Sequence, residues 1–507
     1  MELKEELQME GEEGVKDFDS FPVRFWGGWG LAFVPLAIAT AGCILFFMFW
    51  GTFSLVNLAM AAFVGLIIGS FFAKDMGEFW KSALKGMSSE VCSILILIII
   101  VVGMFTQMMA RAGVAEGFVW LGSTTGITGS LFVVFVFIAC CIIASATGTS
   151  LGTVFSGFPI FYPAGILLGA DPVLLAGAIL SGGIFGDNLS PISDTTIVSA
   201  TTQRFKSTGE SADIAGTVSH RFKYAVIAAG IAALGFLIFG GGLGAAADVA
   251  GAEILAQYSN ALGLVMLIPV VVLLVTAFIT RNIFISVAIG AIVGMIVGIS
   301  SGALTWADVL SLNLETNVAE GFLIAGVNAK LGIVAYLLAI FGIMGVLRGA
   351  GVLDRIIYTL TNSRLTATAK GTEWVNALGI MITGAFVASA NGPALIIYGP
   401  VSDELGKKKG LHPYRRANVI DCMACALPIV IPFTSLFIFV VLGVIEGLRG
   451  TYNFIPSVSP IPLAAATLYP ITLFIVMAVA ITTGWGRIYE SKDGGKTKDP
   501  AESVMAE

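Results

Sequence analysis

Gly186-Asp187-Asn188-Leu189-Ser190-Pro191-Ile192-Ser193-Asp194-Thr195-Thr196 (GDNLSPISDTT) follows directly on the apolar run VLLAGAILSGGIF, residues 173–185. Two carboxylates and a proline stand where a hydrophobic helix would continue. Gly186 loosens that helix, and Pro191 removes a backbone donor and clashes with the preceding turn. The segment 173–202 is therefore expected to be a helix broken at 186–191. Capping explains part of the motif, with Ser190 as N-cap, Pro191 in the first helical position and Asp194 at the positive end. It leaves Asp187 unexplained. An ionised aspartate at hydrocarbon depth costs at least ~2.5–3.5 kcal/mol, whereas a cap contributes only ~1 kcal/mol. The comparison favours a functional site over a structural one.

The hydrocarbon setting follows from composition. The chain has 507 residues, 57% of them hydrophobic and 12% charged, with a mean hydropathy of +0.93. A soluble domain carries about twice that charged fraction. The apolar runs are continuous rather than alternating, which excludes a β-barrel and predicts an all-α polytopic membrane protein. The N-terminal segment 1–26 is acidic, without the basic start of a signal peptide. The net charge of −6 arises largely from it and from the C-terminal tail, and no basic patch points to nucleic acid. Cys422 and Cys425 form a C-x-x-C with no histidine nearby, read as small-residue packing. Only His220 and His412 occur, both in loops, so a proton path must run on carboxylates.

Most apolar segments are long enough to span. The pair 376–388 and 392–402 is not, falling short of the roughly 20 residues required. These segments flank SANGP and read as a re-entrant hairpin, 376–402, with non-helical backbone at its tip. ASATGTSLG (144–152) matches ASANGPALI (388–396) in spacing and partly in identity, and ARAGV (110–114) matches RGAGV (348–352). The chain therefore reads as a duplication. The first repeat is 27–248, with hairpin 129–169 and broken helix 173–202. An external linker, 249–260, leads to the second repeat, 261–485, with hairpin 376–402 and broken helix 417–446. A cytoplasmic tail, 486–507, follows.

Each hairpin returns to its own side, leaving an odd number of crossings per half, so the two halves insert upside-down relative to each other. With both termini cytoplasmic, every Lys and Arg except Arg111, Arg449 and Lys330 falls on the cytoplasmic side. The expected architecture is about ten transmembrane helices plus two re-entrant hairpins. Inverted repeats whose broken helices meet near mid-membrane are the architecture of secondary transporters.

The motif offers only hard oxygen: Asp187, Asn188, Ser190, Ser193, Asp194, Thr195 and Thr196, beside the free carbonyls of a broken helix. That set suits a hard cation such as Na⁺ and not zinc or copper. A carboxyl that is out of water and beside a second carboxylate also holds a proton more readily. Such a site takes either H⁺ or Na⁺, which is sufficient for exchange, with Asp187 and Asp194 the metal ligands. No cofactor is called for beyond the transported Na⁺, and nothing in the membrane segments resembles an enzyme's active site.

SGGIFGDNLSPISDTT resembles the signature of the NhaC-type Na⁺/H⁺ antiporters, a family within the ion transporter superfamily. The resemblance implies that Asp187 and Asp194 carry the ion chemistry, with Ser190, Ser193, Thr195 and Thr196 supporting. It further implies hairpin tips flanking the site, a homodimer, and residence in the cytoplasmic (inner) membrane of a prokaryote. Two departures stand out: Asn188 where family members often carry lysine, and TTIVSA where TTNLAP is common. Losing that lysine should strengthen cation binding. The family also includes exchangers of organic anions such as malate and lactate, so a Na⁺- or H⁺-coupled carrier of a small organic solute is the alternative.

The tips hold Ser145, Thr147, Gly148, Thr149 and Ser150 in the first hairpin and Ser389, Asn391 and Gly392 in the second. Their matched positions favour a joint site over simple satisfaction of bent backbone. Asp421 is expected to pair with Arg415 and Arg416 near the inner end of its helix. The second broken helix supplies Thr434 but no central carboxylate. Lys330 is expected to snorkel to the interface, with competition for a site carboxylate as its other reading.

Overall fold

The computed structural model describes residues 21–50, 54–241, 259–280, 282–314, 317–432 and 434–504. Most of the acidic segment 1–26 and of the linker 249–260, and the last residues of the tail, lie outside these. The described chain is almost entirely helical. Among the described residues, seven helices are long and apolar enough to cross a membrane. The pair Pro460–Ala466 and Leu468–Thr483, bent by 54° at Thr467, makes an eighth. Shorter apolar helices lie at Trp29–Ile44, Leu55–Ser70 and Ala261–Ala277. Outward-facing Leu234, Ile238, Ile292, Ile296, Ile475 and Val479 are half-exposed or more. A soluble protein does not leave such belts bare. The chain is an integral membrane protein.

Apolar segments locate the helices but understate several. The legs read at 376–388 and 392–402 are Ala369–Phe386 and Asn391–Lys407, each close to a full span. Their extensions carry Glu373 and Asp403, which hydropathy discounts and burial compensates by pairing. Glu373 holds Arg415 (2.7 Å) and Arg487 (2.7 Å), and Asp403 holds Arg416 (2.8 Å) and Lys407 (2.6 Å). The helix Ile214–Phe239 begins well before its apolar run, capped by Asp213, and so includes Arg221. Two helices, Phe322–Asn328 and Leu331–Gly349, follow one another, parted at Ala329-Lys330.

One order of elements occurs twice. In the first half, Glu90–Arg111 turns at Gly113 into Val114–Thr125, then comes the hairpin Gly129–Thr147/Ser150–Leu167 and the broken helix. In the second, Leu331–Gly349 turns at Gly351 into Val352–Thr361, then comes the hairpin Ala369–Phe386/Asn391–Lys407 and a second broken helix. Gly113 (φ 75°) and Gly351 (φ 64°) occupy the left-handed conformation that glycine adopts without a Cβ penalty. The motif helix packs against both legs of the first hairpin. The second hairpin packs against Pro413–Ala424, and its second leg also against the short helix Asp194–Thr201.

At the end holding Arg204, Asp403 and Arg416, the tail folds back on the loops. Tyr489–Glu490 pairs with Lys496–Thr497, and the Glu490 carboxylate accepts hydrogen bonds from the Lys206 and Ser207 amides. The tail thereby fastens the loop leaving the first broken helix to the one entering the second.

Candidate functional site

The motif helix runs Pro172–Leu189, started by Asp171, whose carboxylate accepts from the Val173 and Leu174 amides. It breaks at Ser190–Ser193 and resumes as Asp194–Thr201. The break thus sits a few residues later than 186–191. Ser193, not Ser190, is the N-cap residue of the second piece, and Pro191 lies within the break. Asp194 takes the first helical position instead. The Ser193 hydroxyl does not cap; it is drawn off to a carboxylate.

That carboxylate is Asp187, 4% exposed. Its Oδ1 accepts from Ser193 Oγ (2.5 Å) and its Oδ2 from Ser150 Oγ (3.1 Å), at the tip of the first hairpin. Thr195 Oγ1 lies 2.8 Å from Ser193 Oγ and donates to the Asp187 carbonyl (3.2 Å). Asp187, Ser150, Ser193 and Thr195 therefore form one buried, all-oxygen cluster where three chain segments meet. Gly186 allows it: a Cβ there would collide with Ala144 and Ser145, so only glycine lets the tip approach.

Asp194 differs. Its Oδ1 accepts from the Thr195 amide (2.9 Å), and its other oxygen faces the second hairpin, where a Cβ on Gly392 would lie 2.7 Å away. Asp194 is exposed to a cavity of about 240 Å³ lined by Thr147, Gly148, Thr149, Ile192, Ala277 and Asn282. One aspartate is closed off and its neighbour opens on space.

Asn188 and Thr196 turn away from this cluster. Asn188 Nδ2 donates to Asp421 Oδ1 (2.8 Å), and its Oδ1 accepts from Tyr469 (3.0 Å). Thr196 Oγ1 accepts from Arg221 (3.0 Å). Ser190 serves only its own turn, accepting from the Ile192 amide (3.4 Å). Thr147 donates to the Ile143 carbonyl and Thr149 accepts from the Gly152 amide, both within the first hairpin. In the second tip, Ser389 donates to the Pro428 carbonyl (2.5 Å), and the Asn391 amide donates to the Ser389 and Ala424 carbonyls (3.1 Å each). Thr434 Oγ1 is buried without a hydrogen-bond partner among the described residues.

Two expectations are overturned. Asp421 does not pair with Arg415 and Arg416, which point to Glu373 and Asp403. It lies over a turn deeper in the same helix, where it meets Arg221 (2.8 Å), both side chains fully buried. Lys330 does not snorkel. It is 1% exposed and donates to the Gly443 carbonyl (3.0 Å), at the break between its two helices. Its ammonium is directed at that carbonyl and not at an aspartate of the motif.

Arg221 is the residue that sequence reading missed. Its guanidinium reaches Asn188, Thr196, Ser199, Asn418 and Asp421. A positive charge thus does reach Asn188 from another helix, but it pairs with Asp421 and not with Asp187 or Asp194. The available signal was a lone arginine just before an apolar run. Among the described residues, no cluster of three or more His, Cys, Asp or Glu could hold a metal ion.

A polytopic membrane protein with hydrophilic groups gathered at broken helices and hairpin tips is thus defined. Residues 23–241 match the model of the Na⁺/H⁺ antiporter family, which bears out the resemblance carried by GDNLSPISDTT. The chain is similar to the malate-2H⁺/Na⁺-lactate antiporter of Bacillus subtilis, 33% identical over 143 residues, 28% of this chain and 30% of that one. It is also similar to the Na⁺/H⁺ antiporter NhaC of Alkalihalophilus pseudofirmus, 28% identical over 141 residues, again 28% and 30%. The matches span under a third of these relatives' length. Among solved structures, the YdaH transporter of Alcanivorax borkumensis matches over 78% of this chain and 88% of its own, at 15% identity and a TM-score of 0.33.

Proposed function

We propose that the chain is a secondary active transporter, not an enzyme, exchanging Na⁺ for H⁺ across the cytoplasmic membrane of a prokaryote by alternating access. The observation that carries this is the buried Asp187 cluster beside an exposed Asp194. Hydroxyls that donate to the Asp187 carboxylate can rotate to offer lone pairs to Na⁺ in their place. Protonation of the same carboxyl discharges it without a metal. One set of atoms therefore holds either ion, and competition between them couples the fluxes. The family match over residues 23–241 supports the same reading. In this proposal the halves are inverted repeats, both termini are cytoplasmic, and the protein is a homodimer.

A second reading has its own support. A cavity of about 900 Å³ lies between the second hairpin tip, at Val387, Ala390 and Pro393, and a wall holding Lys85, Glu90 and Arg348. Its apolar body with a few charged groups has the character of a small-molecule site. A relative is named for malate and lactate. In this reading an organic anion is carried with the cation.

Proteoliposomes with an imposed pH gradient and a trapped pH dye separate the two. Under antiport, added Na⁺ alone dissipates the gradient in the wild type and fails to do so in Asp187→Asn or Asp194→Asn. A wild type silent until a small carboxylate is supplied overturns antiport in favour of coupled solute transport.

A further inference from the structure

Three carboxylates occupy this region, and the structure treats one of them differently. Asp187 is met by hydroxyls and Asp194 by a backbone amide. Neither has a basic side chain within ion-pair distance among the described residues. Asp421 alone has a fixed cation, Arg221, at 2.8 Å, and its remaining sites accept from Ser199 Oγ (2.7 Å) and Asn188 Nδ2 (2.8 Å). Arg221 is equally committed. It donates to Asn418 Oδ1 (2.9 Å), the Asn188 carbonyl (2.5 Å), Thr196 Oγ1 (3.0 Å) and Ser199 Oγ (3.1 Å). The pair therefore joins both pieces of the first broken helix to the second one. A buried guanidinium with all three nitrogens engaged is poorly placed to trade partners, and a buried charge pair resists separation because either member alone would be uncompensated.

We propose that Arg221 sets the charge count of the transport site: it withdraws Asp421 from ion exchange and leaves the cargo to Asp187 and Asp194. This rests on the Na⁺/H⁺ reading above. The empty site then carries two dischargeable negative charges. Two protons neutralise it, or one Na⁺ does so in part, so no more than two protons can exchange for one Na⁺. Were Asp421 free, a third proton could enter the cycle. Arg221 is on this account a positioning residue that never touches the transported ion.

The test uses full-length protein in proteoliposomes and reads Na⁺-driven proton flux, with the H⁺/Na⁺ ratio taken from the imposed gradients at which flux reverses. Arg221→Gln should lose about 100-fold or more of the exchange rate, because it strands a buried carboxylate. The charge-neutral double variant Arg221→Gln/Asp421→Asn should recover to within about 10-fold of wild type, at an unchanged ratio. Arg221→Lys should keep the wild-type ratio at a reduced rate. A double variant that is monodisperse yet silent, or that exchanges one proton fewer per Na⁺, places Asp421 among the cargo groups and overturns the proposal. If the double variant does not fold, Arg221→Lys decides, since a changed ratio there also overturns it. A wild type without Na⁺-driven flux defeats the antiport reading itself and this inference with it, which sets that failure apart from the others.

Discussion

The first hairpin tip presents Ser150 to a carboxylate, that of Asp187 at 3.1 Å, whereas the second presents Ser389 to a carbonyl, that of Pro428 at 2.5 Å. The first tip turns on Gly148 (φ 67°). The second turns on Ala388 (φ 54°) and Ser389 (φ 62°), which L-residues adopt only when the surroundings hold them there. The broken helices differ in the same sense. The first carries Asp187 and Asp194, while the second carries Asp421, already paired, and a turn at Leu427–Val430 built on Pro428. The two halves share devices but differ in charge. In the proposed exchange the titrating carboxylates lie in the first half, and the second presents a strained, tethered wall to them.

The largest test of that contrast removes the charge. Asp187→Asn deletes a dry carboxylate from the proposed cation site, a loss of roughly 3 kcal/mol, so Na⁺-driven proton flux should fall at least about 100-fold. Monodispersity in detergent should be unchanged. Retained flux would end the division of labour between the halves.

Next is the contact between them. Gly392→Ala would place a methyl 2.7 Å from the Asp194 carboxylate. The second tip or Asp194 must then shift, and flux should drop roughly 10-fold, at the scale of an overpacked contact. Unchanged flux would show that the second tip does not bear on Asp194.

A paired experiment sharpens the comparison. Ser150→Ala removes a hydrogen bond to a charged group, worth roughly 1.5 kcal/mol or more, and should weaken apparent Na⁺ affinity about 10-fold. Ser389→Ala removes one to a neutral carbonyl and should leave that affinity within about 3-fold. Equal effects would make the tips equivalent and the contrast wrong.

The smallest effect is on stability alone, at the cap of the second broken helix. His412 is 1% exposed, and its Nδ1 accepts from the Tyr414 amide (3.2 Å), which requires a neutral ring. Burial pushes its pKa down from 6.5 to about 4. Lys496 and Arg416 push the same way, while Glu490 and Asp213 oppose them. The unfolded chain takes up this proton near pH 6.5 and the folded one only near pH 4. Stability should therefore fall as pH drops through that window and stay flat above it. His412→Gln should flatten the fall in melting temperature, with transport at neutral pH unaltered.

The fold class was legible because bilayer spans are written as uninterrupted apolar runs, and the candidate site drew notice because Asp187 and Asp194 interrupt one at a proline. Element ends were less legible. Glu373 and Asp403 made two long hairpin legs look short, since hydropathy charges their full cost while burial beside Arg415 and Arg416 offsets it. Lys330 was misread for the same reason in reverse: a lysine near a helix end snorkels by default, unless a backbone carbonyl such as that of Gly443 meets it inside.

Sequence by itself determined which residues are costly enough to need a purpose, because that cost depends on residue type and on depth in an apolar run. It did not determine which costly residues cancel each other. Asp187 remains without a cation while Asp421, as buried, finds Arg221 from a helix some two hundred positions earlier. Pairing falls off within a few ångströms in space, and separation along the chain carries no information about it. Only the packing of the two broken helices against each other decided which carboxylate meets a cation.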